Sequence, residues 1–226
     1  MSFSLIVPIA AEKQEYASQL PPMFALNKEG VLLCVKAIMG LDLTQFDAIY
    51  FTLLRSHDER YCLCELLNLQ FRRLGLDKAR VVVLDKPTRS QPETIYQTVI
   101  LMNISGSIFV KDADCYFAGE ILSQNGVAIY PLEKLELVNP QNKSYVAVDD
   151  MFYVTNIIEK KIISHYFNAG GYCFEDASVF LKYFERLSVG KGLYLSHIVY
   201  AMLLDKLIFR PFQVTSYIDF ERLVQL

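Results

Sequence analysis

Apolar and polar positions divide the chain into two regimes. Up to residue 111, short apolar runs alternate with segments of helical spacing. Residues 3–10 are apolar at nearly every position and run into a loop, the pattern of a strand buried on both faces of a parallel sheet. In residues 31–39 the spacing of Leu32, Val35 and Met39 predicts a helix that closes at Gly40. Residues 47–54 predict a second strand and residues 58–74 a second helix stopped by Gly75. Residues 80–84, 92–102 and 107–111 continue as strand, helix and strand. Strict alternation of this kind points to a doubly wound α/β sheet, in which ligands bind beyond the carboxyl ends of the strands.

The rhythm then changes. Residues 126–130, 144–149, 151–158 and 162–166 predict shorter strands joined by turns, a more antiparallel half. Residues 176–185 and 195–204 predict helices, and 208–214 a late strand leading to Asp219. The expected whole is a single domain over residues 1–226 built on a mostly parallel mixed sheet.

Composition narrows the partners. With 53% hydrophobic and 21% charged residues among 226, the chain reads as globular. A formal net charge of -3 with no basic block argues against duplex nucleic acid, whereas a mononucleotide needs only a few donors. Cys34, Cys62, Cys64, Cys115 and Cys173 lack paired CxxC spacing and read as buried thiols of a reducing, cytoplasmic setting. The apolar residues at the start lack a positive leader, and no apolar run is long enough for a membrane span.

The acidic pair Asp112 and Asp114 follows the fourth strand. Carboxylates at a sheet's carboxyl edge can hold a hard divalent ion against phosphate oxygens. Taken alone, an Asp-x-Asp serves equally well as a turn that caps backbone donors. His57, His165 and His197 show no spacing that implies ligation or a nucleophilic triad.

Several segments in order resemble the sugar-phosphate nucleotidyltransferases, the Rossmann-like nucleotide-diphospho-sugar transferase type. Leu5-Ile-Val-Pro-Ile-Ala-Ala11 is similar to that family's first strand and loop, and Thr88-Arg-Ser-Gln-Pro-Glu-Thr94 to its base-reading segment. Phe109-Val-Lys-Asp-Ala-Asp-Cys-Tyr-Phe117 resembles its metal-binding strand end, with Phe117 three positions after Asp114. Val154-Thr-Asn-Ile-Ile-Glu-Lys160 is similar to the strand ending in Glu-Lys, Phe167-Asn-Ala-Gly-Gly-Tyr-Cys-Phe174 to the Asn-Ala-Gly strand, and Val214-Thr-Ser-Tyr-Ile-Asp219 to the strand bearing a second metal-binding aspartate.

The resemblance implies Mg2+ held by Asp112 or Asp114 with Asp219. It implies a nucleoside triphosphate against Ala10, Ala11, Gln91, Glu93 and Thr94. It also implies a sugar phosphate or similar small phosphate against Glu159, Lys160, Asn168 and Gly170, within an acceptor part spanning about residues 127–226. Read one by one, Glu159-Lys160 also suits a solvated strand end, the glycine pair a bulge, and Asp219 a surface site.

The chain departs from that family's pattern at two places. Ala10-Ala-Glu-Lys-Gln-Glu-Tyr16 stands where the family has Gly-x-Gly-x-Arg, leaving Lys13 as a partial catalytic replacement, and Pro21-Pro22 stands where it has Pro-Lys. Three readings follow: a nucleotidyltransferase releasing pyrophosphate, a glycosyltransferase using a nucleotide sugar, and a nucleotide- or sugar-binding relative impaired in turnover.

Overall fold

The computed structural model describes residues 2–10, 21–135, 142–188 and 192–220. Its first half alternates as the hydrophobic runs predict: β1 (Phe3–Pro8), α1 (Leu33–Lys36), β2 (Ala48–Leu54), α2 (Arg55–Tyr61), α3 (Leu63–Leu74), β3 (Ala79–Leu84), α4 (Gln91–Leu101) and β4 (Ser107–Lys111). The second half holds β5 (Cys115–Ala118), β6 (Gly126–Pro131), β7 (Ser144–Val148), β8 (Val154–Glu159), β9 (Tyr166–Phe174), α5 (Ala177–Leu187), α6 (Leu195–Leu204), β10 (Arg210–Gln213) and β11 (Thr215–Asp219).

Nine strands form one mixed sheet whose main path runs β10-β6-β9-β4-β1-β2-β3, with β7 and β8 branching from β9. The fold is α/β with a mostly parallel sheet: β1, β2, β3, β4, β6, β7 and β10 run one way, and β8 and β9 run against them. Strands β11 and β5 pair separately as an antiparallel ribbon.

Apolar runs in the central strands bury both faces. Leu5, Val7, Phe51, Leu53 and Phe109 pack on one side with Leu67 and Phe71 of α3. On the other side, Ile6, Leu54, Ile108 and Val110 pack with Ile95 and Val99 of α4, Phe180 of α5 and Ile198 of α6. A buried hydroxyl pair, Thr52 Oγ1 and Thr98 Oγ1 at 2.7 Å, joins β2 to α4 without leaving a polar atom stranded.

The structure redraws several expected elements. The helix expected over residues 31–39 is only α1, and the chain beyond it turns toward β5. A Cβ at Gly40 would lie 2.0 Å from the Phe117 carbonyl oxygen, so only glycine permits that approach. The helix expected over residues 58–74 splits at Cys62, which sits in the left-handed region at φ 53°. Asp58 stabilises the break, because its carboxylate accepts the Cys64 amide at 2.7 Å while its carbonyl accepts that of Cys62.

Residues 151–153 form a turn rather than the start of a strand, since Asp149 Oδ1 accepts the amides of Met151 and Tyr153. Residues 162–165 are not a strand. There the Ser164 hydroxyl bonds the carbonyls of Val146 and Tyr166 and takes the Tyr166 amide, folding the segment into a turn before β9. Nor are all the thiols buried: Cys34, Cys115 and Cys173 are, whereas Cys62 is exposed at the helix break and Cys64 is intermediate.

Candidate active site

A cleft of about 740 Å³ opens at the carboxyl edge of the sheet, where the strands of a doubly wound fold leave room for a ligand. Pro8 at the end of β1, Ile9 after it, Ser56, His57, Arg60 and Tyr61 of α2, the start of α4 and the loop after β4 contribute to its wall. Gln91, Thr94, Asp112 and Asp114 all line it.

Asp112 sits half-buried at the floor. Its Oδ1 accepts Gln91 Nε2 at 2.5 Å, and its amide donates to the Gly170 carbonyl at 2.9 Å. Burial first, and the neighbouring Asp114 charge second, push the Asp112 carboxyl above the ordinary aspartate range. Beneath the loop lies Lys111, a fully buried lysine. Its ammonium donates to the carbonyls of Asp112 at 2.8 Å and Cys115 at 2.9 Å and lies 4.6 Å from the Phe117 ring centroid. The loop bearing both aspartates is therefore wrapped around an internal cation. The Cys115 thiol, also buried, is pushed up to about 12 and stays protonated.

Asp219 arrives from the far end of the chain. Strand β11 pairs it with Cys115, and the Phe220 amide donates to the Asp114 carbonyl at 2.9 Å, so the backbone of Asp114, just before β5, lies beside the end of β11. Asp219 Oδ2 is bonded by Lys143 Nζ at 2.8 Å, with side-chain exposures of only 18% for the lysine and 15% for the aspartate. Lys143 also donates to the Tyr217 hydroxyl at 2.6 Å. Burial disfavours the Lys143 charge, but Asp219 outweighs it and holds the ammonium above the ordinary lysine range.

The acceptor-side candidates form a second cluster. Glu159 Oε2 accepts the hydroxyls of Ser144 and Ser196, the latter at 2.7 Å. Lys160 reaches the Tyr194 hydroxyl at 3.3 Å, and Tyr194 lines the cleft. Asn168 folds back on its own strand, its Oδ1 accepting the Gly170 amide at 2.6 Å and its Nδ2 donating to the Gly171 carbonyl at 3.2 Å. Gly170 has φ +84°, and a Cβ there would lie 2.7 Å from Cys115 Sγ and 2.9 Å from the Asp112 carboxylate. Its bareness thus lets β9 lie against the acidic loop.

Of the remaining candidates, Ala10 and Glu93 lie off the cleft wall, whereas Thr94 lines it. Ala10 is fully buried in the core. Ala11 and Lys13 lie outside the described residues. Glu93 faces Arg89, taking its backbone amide at 2.6 Å and its guanidinium at 3.1 Å. Thr94 is buried, its hydroxyl 2.6 Å from that of Thr88. Near Pro21, where a lysine was missing, Met23, Phe24 and Tyr61 give the cleft an apolar wall.

Sequence reading passed over Lys143, Tyr217, Lys111 and Tyr194. Lys143 and Asp219 are 76 positions apart, and no local spacing signals their meeting.

Two of the three aspartates that the resemblance gives to magnesium are already engaged. Asp219 is matched by an ammonium, Asp112 by an amide, and among the described residues no group of three or more His, Cys, Asp or Glu is arranged to hold a metal ion. As arranged, the described residues do not fit a protein-held divalent ion.

No protein-family model and no curated protein sequence matches the chain. Solved structures do. An inositol-1-phosphate CTP transferase from T. maritima superposes with a TM-score of 0.73 at 15% identity, covering 97% of this chain and 89% of that one. A nucleoside-diphosphate-sugar pyrophosphorylase from Vibrio cholerae RC9 gives 0.70 at 14% identity over 96% and 94%. A UDP-glucose pyrophosphorylase complexed with UDP-glucose gives 0.71 at 12% identity over 95% and 92%. Nearly the whole of this chain thus shares its fold with these transferase and pyrophosphorylase structures.

Proposed function

We propose that the chain is a nucleotidyltransferase that joins the nucleotidyl group of a nucleoside triphosphate to a sugar phosphate or similar small phosphate. The observation that carries this reading is the cleft lined by Gln91, Thr94, Asp112 and Asp114, with Asp219 at the end of the strand whose backbone lies beside Asp114, in this fold. An oxygen of the acceptor phosphate attacks the α-phosphorus in line. The new P–O bond forms as the bond from the α-phosphorus to the bridging oxygen breaks, and pyrophosphate leaves with that electron pair. Catalysis here is mainly positioning and charge balance.

Gln91, with Thr94 and Glu93 on the same turn, takes the region of the base, and the first loop with Ala10, Ala11 and Lys13 the triphosphate. Lys160 takes the acceptor phosphate, Glu159 a sugar hydroxyl, and Asn168 and Gly170 the strand under the sugar, all from the acceptor part in residues 127–226 of one domain. Asp112, Asp114 and Asp219 form the acidic edge. Magnesium enters as the triphosphate's own counter-ion. The five unpaired cysteines support a cytoplasmic setting. Among the described residues no helix is long and apolar enough to cross a membrane.

A binding relative without turnover is the second reading. It is favoured by the engagement of Arg89 with Glu93 and by the apolar wall near Pro21. The test is pyrophosphate release from each common triphosphate with magnesium and a panel of sugar and polyol phosphates. Release that requires an acceptor supports the transferase. Triphosphate binding without release supports the second reading, and hydrolysis of a nucleotide sugar to a nucleoside diphosphate supports a glycosyltransferase instead.

A further inference from the structure

We propose that Lys143 is the resident cation of the acidic edge, its ammonium standing beside Asp219 where a divalent ion would need to sit, so that the protein holds no such ion until Lys143 is removed. The inference rests on the nucleotidyltransferase reading only in expecting a metal there.

Both partners are fixed by backbone ladders rather than by mobile surface chain. The Lys143 carbonyl accepts the Lys160 amide at 3.0 Å, and the next residue, Ser144, pairs with Glu159 across β7 and β8. Asp219 is set opposite Cys115 by β11 and β5. Between them the ammonium is clasped on several sides. It donates to Asp219 Oδ2 at 2.8 Å and to the Tyr217 hydroxyl at 2.6 Å, and it lies 5.3 Å from the Tyr217 ring centroid. Tyr217 is itself held between Tyr130 and Phe167, at ring separations of 5.7 and 5.1 Å.

A hard divalent ion requires several oxygen ligands and a negative surrounding. Lys143 takes one of the carboxylate oxygens and adds a positive charge next to the others. Removing the ammonium takes away the positive charge that Lys143 sets against the largely buried Asp219 carboxylate, and a solution cation can then serve in its place.

The test uses the full chain with Mn2+ alone, free Mn2+ being followed by electron paramagnetic resonance. The wild type is expected to show no stoichiometric Mn2+ site. Lys143→Ala is expected to acquire one, with affinity raised by at least about tenfold, and Lys143→Ala with Asp219→Asn to lose it again. Circular dichroism checks folding, and Lys143→Gln, which keeps most of the stem, replaces the alanine variant if that one does not fold. Stoichiometric Mn2+ binding by the wild type that Asp219→Asn abolishes would overturn the proposal. So would a folded Lys143 variant with no gain, or a gain that survives in the double variant. With no nucleotide or acceptor present, these outcomes are independent of pyrophosphate release.

Discussion

Up to Val110 the strands β1 to β4 are held chiefly by apolar side chains packed on both faces, whereas the chain from Lys111, the last residue of β4, through β11 places charge inside the molecule. Phe51 of β2 is fully buried against Phe71 of α3 at a ring separation of 5.1 Å, with no polar atom to satisfy. On the other side, Lys111 supports the acidic loop from below, and Lys143 neutralises Asp219 beside it. The first half can tolerate shape-conserving changes and fails when volume is lost. The second fails when one member of a polar set is lost, because its partners then remain buried and unmatched. The apolar strands are scaffold, and the candidate chemistry lies in the loops beyond their carboxyl ends and in the charged second region.

The sharpest way to break the contrast is Phe51→Ala. It should cost about 3–5 kcal/mol through the cavity left between β2 and α3, measured by denaturant unfolding. Triphosphate affinity of the protein that remains folded should be unchanged, because Phe51 is buried in the core and does not line the cleft.

Lys111→Met should cost less, about 1–3 kcal/mol, by leaving the carbonyls of Asp112 and Cys115 without their donor. Unlike the first variant, it should weaken triphosphate binding, since it loosens the loop that carries Asp112 and Asp114. Equal binding by both variants would erase the proposed division between scaffold and site.

The smallest effect is expected from Asp112→Asn, and it should depend on pH. The folded protein holds this carboxyl above the ordinary aspartate range, through burial and then through Asp114. The protonated form is therefore the one the fold favours. Its contribution to stability is complete below the unfolded value of about 3.9 and is lost as pH rises through the folded value. Asparagine escapes that loss. The melting temperature of the variant relative to wild type should rise between pH 4 and 7, and a constant difference over that window would contradict the assignment.

The same contrast explains how much could be read from the letters. Strands buried on both faces announce themselves as continuous apolar runs, and residues 3–10, 47–54, 80–84 and 107–111 came through nearly intact as β1 to β4. Asp112 and Asp114 were legible because a carboxylate at the end of such a run has few places to be. Strand β5 was not, since four residues with alternating burial acquire meaning only from β11, far along the chain. The break at Cys62 depends on the Asp58 side chain, and the turns at residues 151–153 and 162–165 depend on Asp149 and Ser164 outcompeting strand pairing. Lys143 left no trace in the sequence at all: a single lysine after a polar stretch becomes informative only when β11 delivers Asp219 and Tyr217 to it.

The most direct test of the account is a crystal of the protein grown with a slowly hydrolysed nucleoside triphosphate analogue. The account predicts the base beside Gln91 and Thr94, with the phosphates running toward Asp114 and the Lys143–Asp219 pair intact. Nucleotide density away from this cleft, or Asp219 ligating a metal ion with Lys143 swung aside, would contradict it.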